Sequence, residues 1–212
     1  MVYEVRKDKI PITKQYVSFS IIIINIIVFI VQLLDPEGLL FVEEAAFIPA
    51  EFFAGNKPWT IIISMFMHGG FFHILMNMIF FYVVSDNCEK ALGHGLFLLI
   101  YLVSGISAAL LHGVIAVLGN QPNVPTLGAS GAIFGIIAVY GILFPNNKLA
   151  FWLQFFIIRL KAKYFVLVYF LLQLLYGFLL WGASSTAYFA HIGGFLAGAI
   201  SALLFKLFSD KY

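Results

Sequence analysis

Four polar side chains interrupt otherwise apolar runs of this chain, and their types suit acyl transfer. Ser130 follows Gly128 and Ala129 at the head of the run Leu127–Phe144, His191 lies near the head of Tyr188–Phe208, and His73 and Asn77 fall within Phe66–Ser85. A serine hydroxyl is a weak nucleophile until a neighbouring base takes its proton, and an imidazole, with an ordinary pKa of about 6.5, suits that task. Attack on a carbonyl creates an oxyanion that needs hydrogen-bond donors. His73 and Asn77, four residues apart and therefore on one helix face, would supply them together with the backbone N–H of Ser130. Taken singly, each residue has a plainer reading, such as a packing serine bonded to its own helix. Their conjunction is what points to function. His112 lacks such company and reads as a loop-edge residue.

The elements that must position these groups are membrane helices. Of 212 residues, 62% are hydrophobic and only 10% charged, with a mean hydropathy of +1.01, whereas a soluble domain carries about 25% charged residues. The chain is therefore read as an integral membrane protein. A spanning helix needs about 20 mainly apolar residues, which predicts six: Val17–Leu34, Phe66–Ser85, Leu96–Leu118, Leu127–Phe144, Tyr164–Trp181 and Tyr188–Phe208. The expected fold is an all-α six-helix bundle in a single domain over 1–212, with a short N-terminal tail over 1–16. No small-residue cleavage pattern follows the first run, so a retained span is expected there. Pro125 and Pro145 bound a short fourth span.

Two connections are long. Asp35–Thr60 holds Leu39, Leu40, Phe41, Phe47, Phe52 and Phe53, which predicts a folded loop dipping partly into the interface. Asn146–Lys163 sets Phe151, Trp152 and Phe155 beside Lys148, Arg159 and Lys161, and reads as an interfacial stretch.

Charge placement sets the orientation. Of the twelve Lys and Arg residues, all but Lys57 fall on the cytoplasmic side if the N-terminus, with Arg6, Lys7, Lys9 and Lys14, is cytoplasmic. The positive-inside rule then places both termini in the cytoplasm and puts Asp35, Glu37, Glu43, Glu44 and Glu51 in the first outer loop. The second, fourth and sixth helices run from outside to inside, and at about 1.5 Å per residue Asn77, Ser130 and His191 reach similar depths. Gly131 and Gly135 on the fourth helix, and Ala190, Gly194 and Gly198 on the sixth, have the four-residue spacing that lets membrane helices approach closely. That approach would bring Ser130 and His191 within hydrogen-bond reach. Asp35, Asp86, Glu89 and Asp210 all fall at span ends, which leaves no carboxylate to orient His191 as a third member. A slow enzyme is expected.

Other classes fit less well. A net charge of +2 gives no reason to expect nucleic acid, and no cofactor or metal is expected. Metal-dependent intramembrane proteolysis would want H-E-x-x-H, where residues 73–77 read His-Ile-Leu-Met-Asn. Aspartyl proteolysis would want two aspartates inside spans. A small transporter would be expected to show an internal repeat or an intramembrane carboxylate, and the sequence has neither. Cys88 is the single cysteine and reads as an incidental thiol.

At Gly128-Ala129-Ser130-Gly131, at His191-Ile192-Gly193-Gly194 with Gly198, and at the spacing of His73 and Asn77, the sequence resembles the rhomboid family of intramembrane serine proteases. The likeness runs from about Pro49 to Gly198 and includes Phe66-Met67-His68, Glu89 and Gly93. It implies a six-helix core with a Ser130–His191 dyad in a water-filled cavity on the extracytoplasmic side of the cell membrane. His73 and Asn77 would assist the oxyanion, and the substrates would be single-span membrane proteins in the lipid bilayer. It implies further that the fifth helix and the loop Gly182–Ala187 admit substrate, and that Glu89 is structural. Where relatives often carry a tyrosine that stacks on the histidine, this chain has Phe134, which keeps the stacking surface and so shares with helix packing the orienting of His191. The Trp-Arg pair common in the first outer loop is missing, with Lys57-Pro58-Trp59-Thr60 nearest to it. A non-catalytic relative that binds membrane helices is the alternative; such a relative would be expected to lack the serine or the histidine, and both are present.

Overall fold

Segments rich in Ile, Leu and Phe become helices here because a chain in hydrocarbon must satisfy its backbone N–H and C=O groups internally. The computed structural model describes residues 2–5, 10–35, 39–153, 156–181, 184 and 186–209. In chain order it contains β1 (Val2–Val5), α1 (Tyr16–Gln32), α2 (Leu39–Ala45), α3 (Pro49–Phe53), α4 (Thr60–Ile63), α5 (Phe71–Leu92), α6 (His94–Leu118), α7 (Ser130–Leu143), β2 (Lys148–Leu153), β3 (Phe156–Lys161), α8 (Ala162–Leu179) and α9 (Tyr188–Leu207). By length and composition α5, α6, α8 and α9 are able to cross a membrane, while α1 and α7 are apolar but shorter. The protein is thus a mainly helical membrane protein. Expectations placed on Arg6, Lys7, Lys9, Pro36, Glu37, Phe155, Asp210, and on Gly182, Ala183 and Ser185 of the expected gate loop, lie outside the described residues.

The all-α expectation needs one correction. The stretch Asn146–Lys163, read as interfacial, forms the hairpin β2–β3, and β1 from the N-terminal tail adds to it in the order β1-β2-β3. The pairing is antiparallel, with Val2 opposite Phe151 and Val5 opposite Lys148. Aromatic and β-branched residues fit a pleated sheet, and the charges at 148, 159 and 161 keep this segment from burying in hydrocarbon. Leu149 and Ala150 of β2 are buried, whereas Ile157, Arg159 and Lys161 of β3 are exposed.

The sheet marks one end of the bundle. Beside it Glu89, fully buried near the end of α5, accepts hydrogen bonds at the start of α1 from the N–H groups of Val17 at 2.9 Å and Ser18 at 2.7 Å, and from Ser18 Oγ at 2.5 Å. His94 Nδ1 lies 2.6 Å from the other side of the same carboxylate. A helix N-terminus presents unpaired donors and the positive end of its dipole, so a carboxylate there satisfies both. This is why α5 runs on to Leu92 instead of stopping at Ser85: the polar residues after Ser85 have partners. Glu89, expected at a span end, is buried, but it is engaged sixteen residues, or about 24 Å of helix, from His73.

At the other end, the connection after α1 folds against the connection before α7. Phe47 and Thr126 exchange backbone hydrogen bonds of 3.0 and 2.8 Å, and Ala50 N–H donates to Pro122 at 2.8 Å. Lys57, at 3.0 Å from Glu44, and Trp59, through its indole N–H to the Glu44 carbonyl at 3.0 Å, tie the Lys57-Pro58-Trp59 segment back to α2.

Between the two ends α7 is the central element. Residues 131–141 are buried without exception, because α6 and α9 close on it through small residues. A Cβ on Gly194 or Gly198 would overlap the carbonyls of Gly131 and Gly135, and one on Gly135 would overlap Ser104 of α6. At 14 residues, α7 spans about 21 Å against a hydrocarbon thickness of about 30 Å.

Glu89→Ala would strand two backbone donors and the Ser18 hydroxyl. Removing one partner of such a buried charged cluster costs about 3–5 kcal/mol, so the thermal unfolding midpoint in detergent is expected to fall by several degrees. An unchanged midpoint would refute this anchoring of α1.

Candidate active site

Ser130 is the first residue of α7 and His191 the fourth of α9. The glycine-lined crossing of these helices sets His191 Nε2 2.9 Å from Ser130 Oγ. His191 is buried and Ser130 half-buried. The imidazole lies flat on Phe134, one turn after the serine, with ring centroids 4.3 Å apart and planes 9° apart. Phe134 is backed in turn by Tyr169 of α8 at 4.7 Å. The stacking expected of Phe134 is therefore present without a hydroxyl.

His73 and Asn77 stand on the first two turns of α5 and line the same cavity as Ser130 and His191. Gly69 N–H lies 3.3 Å from His73 Nδ1. A ring nitrogen that accepts carries no proton, so the hydrogen of the neutral ring sits on Nε2. A Cβ on Gly128 would stand 3.1 Å from His73 Nε2 and 3.7 Å from Ser130 Oγ, so both groups border the space beside that glycine. Gly128 has φ +130, a conformation closed to most side chains, and its missing Cβ leaves room for the histidine. Asn77 Nδ2 donates to the His73 carbonyl at 3.0 Å, which holds one amide hydrogen and leaves the second. The first N–H groups of α7 have no partner within their own helix.

The cavity measures about 760 Å³. Its polar wall includes His73, Asn77, Ser130 and His191, and its apolar wall includes Phe72, Met76, Ile133, Tyr169 and Trp181. His112 also lines it, which corrects its reading as a loop-edge residue. It stands on α6, six residues before Leu118, with a buried Nδ1 that has no hydrogen-bond partner. A second residue was missed altogether: Gln173 of α8, buried, whose Oε1 lies 2.8 Å from His191 Nδ1. The signal was present, since an amide within a leucine run is costly in hydrocarbon unless partnered. Among the described residues no group of three His, Cys, Asp or Glu side chains is arranged to hold a metal ion. Cys88 is buried, with its thiol 3.8 Å from the Ile136 carbonyl that it donates to.

A bundle of apolar helices enclosing a cavity with a hydrogen-bonded serine and histidine defines a multi-pass membrane protein with the side-chain set of a serine hydrolase. The family model of the Rhomboid domain matches residues 55–208, and the chain belongs to the rhomboid family. It is 32% identical over 149 residues to RHOMBOID-like protein 6, mitochondrial, of Arabidopsis thaliana, covering 68% of this chain and 42% of that protein. It is 34% identical over 148 residues to Rhomboid-type serine protease 2 of Emericella nidulans, covering 68% and 26%. With Rhomboid-like protease 3 of Toxoplasma gondii it shares 32% over 162 residues, covering 76% and 56%. The chain thus spans from about a quarter to just over half of the length of these relatives.

Gly194→Ala places a methyl group against the Gly131 backbone, which cannot swing aside as a side chain would. A displacement of about 1 Å at a reacting pair costs on the order of a hundredfold in rate, so labelling of Ser130 by a fluorophosphonate is expected to slow about that much. Gly95→Ala, whose methyl meets no atom within 4 Å, should label at the unsubstituted rate. Equal labelling of both variants would show that the crossing does not set the pair.

Proposed function

We propose that this protein is an intramembrane serine endopeptidase acting on single-span membrane proteins near the outer ends of their transmembrane segments. The observation that carries the reading is the 2.9 Å contact between Ser130 Oγ and His191 Nε2 on the wall of a cavity of about 760 Å³. His191 Nε2 takes the hydroxyl proton as Ser130 Oγ attacks the substrate carbonyl. The developing oxyanion is met by the Ser130 N–H, by His73 Nε2–H and by the free hydrogen of Asn77 Nδ2. His191 then returns the proton to the leaving amine, the C–N bond breaks and an acyl-serine remains. Water, deprotonated by the same imidazole, releases the new carboxylate and restores the hydroxyl. A helix presents no free carbonyl to such attack, so substrates are segments that unwind readily.

The reading includes six spans in a single domain over 1–212, with α1 and α7 the short ones, both termini cytoplasmic and the cavity opening to the extracytoplasmic side of the cell membrane. Three features support it. The N-terminal strand pairs with the hairpin that precedes α8, Glu89 joins the start of α1 to the turn between α5 and α6, and these three basic segments therefore share one end. The cavity lies at the other end.

The test is cleavage of a single-span reporter by the purified protein beside Ser130→Ala and His191→Ala. Each substitution is expected to lower cleavage by about a thousandfold or more, with the unfolding midpoint retained. Cleavage that survives Ser130→Ala would refute the dyad.

A further inference from the structure

Both nitrogens of His191 are engaged, Nε2 by Ser130 and Nδ1 by Gln173 Oε1 at 2.8 Å. An amide oxygen has no proton to give. The nitrogen facing it must carry the hydrogen, and in a neutral ring that leaves Nε2 with its lone pair toward the serine hydroxyl. The opposite tautomer would set two acceptors against each other at Nδ1 and aim an N–H at the nucleophile. Phe134 fixes the plane of the ring, but a flat stack does not decide which edge faces which helix. Only a polar partner can do that.

We propose that Gln173 is the positioning residue that holds His191 in its Nδ1–H tautomer, occupying the place that a carboxylate takes in a three-member arrangement. This rests on the protease reading above. Gln173 belongs to the stripe Ala162, Val166, Gln173 and Gly177 that α8 buries against the bundle, while Leu171, Leu172 and Leu175 beside it are exposed. At a position where an aliphatic side chain would pack at no desolvation cost, the chain places an amide, and the described partner of its oxygen is the imidazole. The other polar groups around the ring lie elsewhere. His73 reaches the cavity from α5 and His112 from α6, Tyr169 stands behind Phe134, and Tyr188 of α9 meets the imidazole edge-on at 6.4 Å. The bond also links the base to a helix that carries neither member of the dyad, so a shift of α8 by about 1 Å breaks it by the ordinary distance limits.

The experiment has a spectroscopic and a kinetic part. Nitrogen-15 spectra of the full chain labelled at histidine, with the five histidines sorted by the resonance lost in His191→Asn, report which ring nitrogen of His191 is protonated. The expected result is a protonated Nδ1 in the unsubstituted protein and a mixture of tautomers in Gln173→Met. With the single-span reporter, Gln173→Met is expected to lower kcat about tenfold, the effect of one hydrogen bond, with KM within about twofold. Gln173→Glu, which keeps an acceptor, should stay within about threefold of the unsubstituted kcat. An unprotonated Nδ1 in the unsubstituted protein, a full kcat in Gln173→Met, or equal losses in both variants with an unchanged tautomer would each overturn the proposal. A protein that cleaves nothing would instead refute the protease reading, and the spectra would still decide the tautomer.

Discussion

The rest of the site depends on how closely α7 and α9 approach. Gly194 and Gly198 lie against the carbonyls of Gly131 and Gly135, a separation that no residue with a Cβ permits. Because Ser130 begins α7 and His191 stands in the first turn of α9, the same crossing that packs the bundle fixes the gap between hydroxyl and imidazole. Packing in a bilayer draws little from the hydrophobic effect between helices, since lipid tails are as apolar as leucine, and relies on close contact of small residues. The requirement of the membrane and the requirement of the chemistry are met here by one set of glycines.

Polar groups are handled in two ways in the two halves of the bundle. At the end with the sheet the Glu89 carboxylate takes three donors from α1 and a fourth from His94. At the cavity end the groups are only partly satisfied. His73 has one nitrogen engaged, Asn77 one hydrogen, and the N–H groups that open α7 have no partner within their own helix. Unsatisfied donors in hydrocarbon are costly, and here they border a cavity of about 760 Å³. The anchoring end ties α1 to α5 and α6, and on the proposed reading the cavity end would offer a place for an oxyanion.

Much of this was legible in the sequence, and the misses have physical causes. Hydropathy alone located α1, α5, α6, α7, α8 and α9 as apolar helices, with the largest displacement at α5, where Gly69 and Gly70 delay the start and Glu89 extends the end. The meeting of Ser130 and His191 followed from matched depth and glycine spacing. His112 is hard to read because it stands on α6, away from the helices that carry the other site residues and six residues before the end at Leu118, and only the fold brings that end beside the cavity. Gln173 went unread because it belongs to no motif, while the rule that partnerless polar groups are expelled from spans already singled it out. The sheet was not legible: β1 pairs with residues about 146 positions away, and such pairing leaves no local pattern beyond alternation, which hydropathy masks.

The site contains no carboxylate, and this agrees with where it sits. An aspartate at the Nδ1 edge of the buried His191 would have to be held between packed helices, and an ionised group so buried costs several kcal/mol unless its partners are charged too. A glutamine, a neutral imidazole, a hydroxyl and amide donors cost far less to bury, and each still has a direction. On the proposed reading, orientation is thus kept while charge waits for the reaction, when imidazolium and oxyanion would form together and stabilise each other across a few ångströms of low dielectric. The amide would stabilise that imidazolium less than a carboxylate, which is the structural basis for expecting a slower enzyme than its soluble counterparts.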